Sequence, residues 1–251
     1  MKQVNIDLGG VIIRCELKFD DAADYFNGYI VPGESGPGSC RTENAGAEGE
    51  AAIPTAAVTD MDWDFWREYH AVIDPHLEFS SLTGSCSDAL LKYGRAAFHA
   101  VSFLHGGKAW LIAAPSGVGK TTQLMNLCSL WPGEFSIISG DRPILELKDD
   151  GTVYVHTSPW NGKEELAGKA GGVLAGIICL KRGEQNSIRT LTAKGAGFSV
   201  YLSVIQTAES EEGIRRAAAF ATELLKRVPA WELTSNTVPD STKLLYEEVL
   251  K

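Results

Sequence analysis

Little in this sequence points to a structural metal, a membrane or a nucleic acid. The five cysteines, Cys15, Cys40, Cys86, Cys128 and Cys179, form no C-x-x-C pair and no close Cys/His cluster. That excludes the usual ligand spacings of a zinc site and reads as reduced, mostly buried thiols. No stretch approaches the ~20 apolar residues that a membrane span needs. The opening "MKQVNIDLGGVIIRCELKF" alternates in polarity where a signal peptide requires an uninterrupted apolar core, so a cytoplasmic protein without a membrane partner is expected. Basic charge is also short: 23 Lys and Arg against 32 Asp and Glu give a net charge of −9. Nucleic-acid partners are excluded on that ground, because their phosphates are neutralised by a basic field. Any nucleotide must be held by a local device. No internal repeat is visible.

What is present is enough apolar sequence for a large core: 44% of 251 residues are hydrophobic. Residues 3–19 alternate about Gly9-Gly10 as a hairpin. Residues 31–54, rich in Gly, Pro, Ser and Glu, read as a flexible loop, either inert or a lid. Residues 61–74 space Trp63, Trp66, Tyr69, His70 and Ile73 as an amphipathic helix, and a second helical pattern opens at Ser87. The strand "AVSFL", the Gly106-Gly107 turn and the strand "KAWLIAAP" follow. Further on come the strand "EFSIISGD", a hairpin turning at Asp150-Gly151, the apolar run "GVLAGIICLKRG", the helix "SEEGIRRAAAFATELLKRV", the strand "AWEL" and a last helix opened by Asp240 or Ser241. This order predicts an α/β nucleotide-binding core, residues 95–251, preceded by a smaller α+β unit, residues 1–94.

The most informative stretch is "AAPSGVGKTTQLMNL", Ala113 to Leu127. It meets the phosphate-loop spacing G-x-x-x-x-G-K-[ST] at Gly119, Lys120 and Thr121, with Ala114 in place of the first glycine. Gly117 and Gly119 free the backbone to turn its N–H groups inward, and a following helix N-terminus favours anions. Ser116, Gly117, Val118, Gly119, Lys120, Thr121 and Thr122 are therefore the candidate phosphate cradle, Lys120 being the point charge and Thr121 the Mg²⁺ ligand. The cofactors expected are ATP or GTP with Mg²⁺. The bland alternative is a glycine-rich strand-to-helix turn without a ligand.

The run "FHAVSF…GGKAWLIAAPSGVGKTT…IISGDRPILEL…VYVHTSPWNGKEE" resembles the kinase domain of the HPr kinase/phosphorylase superfamily, which shares its P-loop fold with phosphoenolpyruvate carboxykinase. It is similar in particular to the small bacterial HPr kinase-like proteins, some of which phosphorylate peptide precursors in modified-peptide pathways. The resemblance covers roughly residues 95–251. It implies a P-loop kinase core of the HPr kinase/phosphoenolpyruvate carboxykinase type, and a kinase transferring the γ-phosphoryl group of ATP to a hydroxyl, Ser or Thr of a peptide or protein. It places the family's upstream histidine at His99 and its acidic residue at Asp141. It also sets Pro159, Trp160, Gly162 and Lys163 near the phosphates or the acceptor. At Gly140-Asp141 the chain departs from the two adjacent acids usual in HPr kinases.

Each candidate has a plain alternative. Asp141 reads as the base for a hydroxyl, as a Mg²⁺ ligand together with Thr121, or as both. His99 among alanines would by itself read as a core histidine. Lys163 could be an ordinary turn lysine. Arg215 and Arg216 read as a solvated helix face before they read as transition-state cations. The acceptor could instead be a small molecule, or the protein could be a nucleotide-binding regulator with weak catalysis; a homo-oligomer is left open.

Overall fold

The structure, a computed structural model, describes residues 2–32, 53–69, 73–207 and 210–251. Most of the expected loop over 31–54, together with Cys40 and His70, lies outside them.

Alternation in the N-terminal stretch becomes a hairpin. Strands β1 (Lys2–Leu8) and β2 (Val11–Leu17) pair antiparallel, with Leu8 opposite Val11 across Gly9 and Gly10, both at positive φ. Ile6, Leu8, Val11, Ile13, Cys15 and Leu17 face inward and are fully buried. A short strand β3 (Thr55–Ala57) adds parallel to β2, and helix α1 (Asp60–Tyr69) follows.

Helix α2 (Pro75–Leu91) starts twelve residues before Ser87, where the pattern placed its cap. The true cap is Asp74, whose carboxylate accepts from Leu77 N at 2.8 Å, with Pro75 in the first turn. Ser, Thr and Gly dilute the apolar period of "HLEFSSLTGSCSDALL" and hide its first half. Ser87 lies buried inside the helix and accepts from Ala97 N at 3.0 Å. The helical pattern "SDALLKYGRAAFHA" that opens at Ser87 also runs too far, because residues 95–97 form strand β4 (Arg95–Ala97). The carboxylate of Glu78, 1% exposed, accepts from Lys18 N and Phe19 N at 2.7 and 2.9 Å, tying α2 to the end of β2.

The nine-stranded sheet continues with β5 (Ala100–His105), β6 (Lys108–Ala113), β7 (Ser136–Ser139), β8 (Ile144–Leu147), β9 (Val153–His156), β10 (Gly172–Arg182), β11 (Ser187–Leu191) and β12 (Ala230–Ser235). Its order is β4-β8-β9-β10-β6-β5-β7, with β12 beside the later part of β10 and β11 outside β12. Strands β6, β10 and β12 run parallel and β5 antiparallel to β6, so the sheet is mixed.

Adjacent residues of a strand point to opposite faces, and both faces are covered. Leu111 and Ile177 pack with α4 (Ala193–Ser203) and α5 (Glu211–Arg227). Ile112 and Ile178 pack with α3 (Lys120–Leu130) and α6 (Val238–Leu245). A strand apolar on both faces reads as the uninterrupted runs "WLIAA" and "GIICL". Strands β3 and β11 and helix α4 escape the sequence pattern; α4 carries Gly195 and Gly197 and no apolar stripe. The last helix begins at Val238, two residues before the expected Asp240. A third cluster packs the N-terminal hairpin and α2 against Ala97, Ile144 and Trp160.

Candidate functional site

Strand β6 ends at Ala113 among the parallel strands, and the chain crosses their carboxyl end through residues 114–119 before α3 begins. Gly117 (φ 77°) and Gly119 (φ 119°) take left-handed conformations that strain any side chain. Space is not the reason, since nothing stands within 4 Å of a Cβ added to either. Gly119 caps α3 without a side-chain hydrogen bond. The N–H groups of the first turn therefore lack an intrahelical partner and point, with the positive end of the helix dipole, towards the loop.

Lys120 is 8% exposed. Its Nζ donates to the carbonyls of Ala114 (2.8 Å) and Pro115 (3.5 Å) and meets His99 Nε2 at 3.0 Å. Among the described residues it has no ion pair. Burial lowers its pKa from the usual lysine value, and Asp141 opposes that shift. A buried ammonium resting on carbonyl oxygens is under-neutralised, and an anion in the loop would complete it.

His99 precedes β5, fixed by its backbone N–H on Ser203 O (2.7 Å), while the next residue, Ala100, donates to Asp141 O (2.9 Å). Burial first, then Lys120 and Arg142, push the imidazole pKa below its ordinary value against the pull of Asp141. At neutral pH the ring is uncharged, and Nε2 is assigned as the acceptor of the lysine proton.

Asp141 follows β7. Its Oδ1 lies 3.5 Å from His99 Nε2, beyond a good hydrogen bond, and its Oδ2 is 3.1 Å from Arg142 Nε. Arg142 is anchored in turn: Nη1 donates to Ser80 O (2.9 Å) and Thr83 Oγ1 (2.7 Å) of α2. The N-terminal unit thus fixes the guanidinium that fixes the carboxylate. Gly140 has a spatial cause, because a Cβ there would stand 2.5 Å from Asn161 O and 2.8 Å from Leu166 Cβ. A second acid beside Asp141 has no room while the loop over 158–168 takes this path. That loop also sets Gly162 (φ 77°) against Asp141.

The structure therefore brings together three of the residues singled out from the sequence, His99, Lys120 and Asp141. Ser116 and Thr122 are exposed, and Thr121 and Val118 half-buried. The Thr121 hydroxyl makes no hydrogen bond among the described residues. Lys163 is exposed in the loop against Asp141 and has no ion pair there. Trp160 does not face this site: it is 2% exposed, donates to Phe79 O at 2.8 Å and stacks on Phe79. Arg215 and Arg216 are surface partners of Glu212. Arg142 was missed by sequence reasoning, as was Arg182, whose Nη2 donates to Gly117 O at 2.7 Å. Nothing in the local pattern marks either as different from a surface arginine.

Among the described residues no group of three His, Cys, Asp or Glu side chains could hold a metal unaided. Thr121 and Asp141 offer two oxygens, the sort of partial set with which Mg²⁺ binds when phosphates supply further ligands.

No family model matches the chain, and no curated protein does. Among solved structures, it is similar to the HPr(Ser) kinase/phosphatase from Coxiella burnetii, at 11% identity and a TM-score of 0.37, over 61% of this chain and 87% of that one. A likeness of that size carries no argument about function.

Proposed function

We propose that this protein is a phosphotransferase of the kinase type, with its nucleotide on the P-loop formed by residues 114–122 and a hydroxyl as acceptor. The observation that carries the reading is the under-neutralised Lys120 ammonium at the head of a helix whose cap, Gly119, gives its N–H groups no side-chain acceptor, beside His99 and Asp141. A nucleoside triphosphate with Mg²⁺ supplies the phosphoryl group when bound. The loop N–H groups and Lys120 hold its phosphates, and Thr121 and Asp141 are the metal ligands. Asp141, its orientation set by Arg142, positions and accepts the proton of the acceptor hydroxyl. Neutral His99 takes a hydrogen bond from Lys120 and keeps that ammonium aimed. Phosphoryl transfer asks chiefly for positioning and charge neutralisation, which this set can supply.

Ser or Thr of a peptide is the acceptor this reading favours. An open cleft of about 950 Å³ lies between the β1–β2 turn, residues 28–31 and the β8–β9 hairpin. Its lining includes Glu146 and His156 but none of His99, Lys120, Thr121 and Asp141, so it carries no argument about the acceptor. What supports a peptide acceptor is the resemblance of "SPWNGKEE" to the small HPr kinase-like proteins.

The test is transfer of label from γ-labelled ATP with Mg²⁺ to peptides encoded beside the gene. Label is expected on a peptide, and Lys120→Ala should lower the rate on the order of a hundredfold to a thousandfold. Nucleotide binding without transfer to any peptide or small hydroxyl compound would replace the kinase by a nucleotide-sensing protein.

A further inference from the structure

The arginine at the end of β10 carries an inference that rests on the nucleotide reading of the loop. We propose that Arg182 is a phosphate-contacting residue, a second cation that closes the site opposite Lys120.

Its backbone is rigidly placed. Strand β10 pairs with β6 only as far as Cys179 opposite Ala113, so Leu180, Lys181 and Arg182 run on past the end of β6, where the loop begins. The pairing with β12 continues to Arg182 opposite Ser235, and Gly183 N donates to Ser235 O at 3.2 Å. A Cβ on Gly183 would stand 2.3 Å from Thr234 Cγ2, so the strand end is packed tightly against its neighbour. Arg182 thus projects from a sheet hydrogen-bonded up to that residue, at the carboxyl edge where ligands of open α/β sheets bind.

Among the described residues the side chain has no counter-ion. In a chain of net charge −9, every described arginine except Arg182 and Arg14 pairs with a carboxylate. The acid nearest in the sheet, Glu232 of β12, is already shared by Lys181 and Arg189, each at 2.8 Å. Lys181 turns to that acid, whereas Arg182 turns to the crown of the loop and donates to Gly117 O at 2.7 Å. A neutral carbonyl engages one of five guanidinium donors, and Arg182 is exposed. The remaining fork suits phosphate oxygens, which it can bind in pairs.

The experiment measures ATP affinity with Mg²⁺ by calorimetry for the wild type, Arg182→Ala, Arg182→Gln and Lys120→Ala, with thermal unfolding as a check on folding. Arg182→Ala is expected to raise the dissociation constant about tenfold or more. Gln keeps an N–H for the Gly117 carbonyl and removes the charge. Weakening of Arg182→Gln close to that of Arg182→Ala supports a phosphate contact. Wild-type affinity in Arg182→Gln shows that the residue serves only the loop carbonyl and overturns the proposal. Wild-type affinity in Arg182→Ala, with affinity lost in Lys120→Ala, overturns it while leaving the nucleotide reading intact. Absence of ATP binding by the wild type removes both.

Discussion

Two clusters in this protein contain a histidine, a carboxylate and an arginine, yet they are built differently. In one, Glu146 is saturated: Oε1 meets Arg95 Nη2 at 2.6 Å and Oε2 meets His156 Nε2 at 2.8 Å. In the other, Asp141 has a single close side-chain partner among the described residues, Arg142 at 3.1 Å, with His99 at 3.5 Å. Both histidines are pushed below their ordinary pKa, chiefly by burial. The difference lies in how the two carboxylates are paired. In the Glu146 cluster both carboxylate oxygens are paired and the group joins β4, β8 and β9, while Arg95 Nε has no hydrogen-bond partner among the described residues. The Asp141 cluster leaves a carboxylate oxygen without a close donor and an ammonium on carbonyls, which is the state expected of groups waiting for a ligand.

That contrast breaks most sharply under substitution of the two acids. Asp141→Asn should lower phosphoryl transfer on the order of a hundredfold to ten-thousandfold, with ATP affinity and the unfolding midpoint nearly unchanged. Steady-state kinetics beside calorimetry reads both; full activity in Asp141→Asn would take this residue out of the mechanism. Glu146→Ala should act in the opposite way. It strands the Arg95 guanidinium, whose side chain is 15% exposed, and should remove about 3 kcal/mol of folding stability in urea titrations. An unchanged urea midpoint would contradict the paired-carboxylate reading.

The sheet and its loop were legible because they rest on local rules. Runs such as "WLIAA" announce strands buried on both faces, and Gly117, Gly119 and Lys120 sit where a turn into a helix needs them. The surroundings of Asp141 were not legible, because they depend on distant chain segments. Arg142 takes its meaning from Ser80 and Thr83 on α2, about sixty residues upstream. Gly140 takes its meaning from Asn161 and Leu166. Glu78, an acid in a helical stretch, gave no sign that it would be buried to receive two strand-end N–H groups.

Gly140 offers a smaller effect that sharpens the same contrast. Gly140→Ala forces a methyl towards Asn161 O and Leu166 and should cost about 1–3 kcal/mol of stability. Because the displaced loop also carries Gly162, which leans on Asp141, turnover should fall beyond what lost stability explains. Wild-type stability and turnover in this variant would mean that the loop yields freely, and that the absence of a second acid has no steric cause.

The smallest effect expected is on acid stability. His99 and His156 both have folded-state pKa values below the ordinary histidine value, so below about pH 6.5 the unfolded chain binds more protons than the folded one. Stability is therefore full above that value and is lost as the pH falls through it towards the folded pKa values. Replacing either histidine with Gln, which cannot take up a proton, should flatten this acid-side slope. The two variants should differ in what else they change. His156→Gln leaves Glu146 with a neutral partner and should alter only the stability profile, whereas His99→Gln also disturbs the aim of Lys120 and should lower turnover at pH 8, well above the lowered pKa values of both rings. Equal turnover of both variants at pH 8 would erase the distinction between a paired carboxylate and an open one.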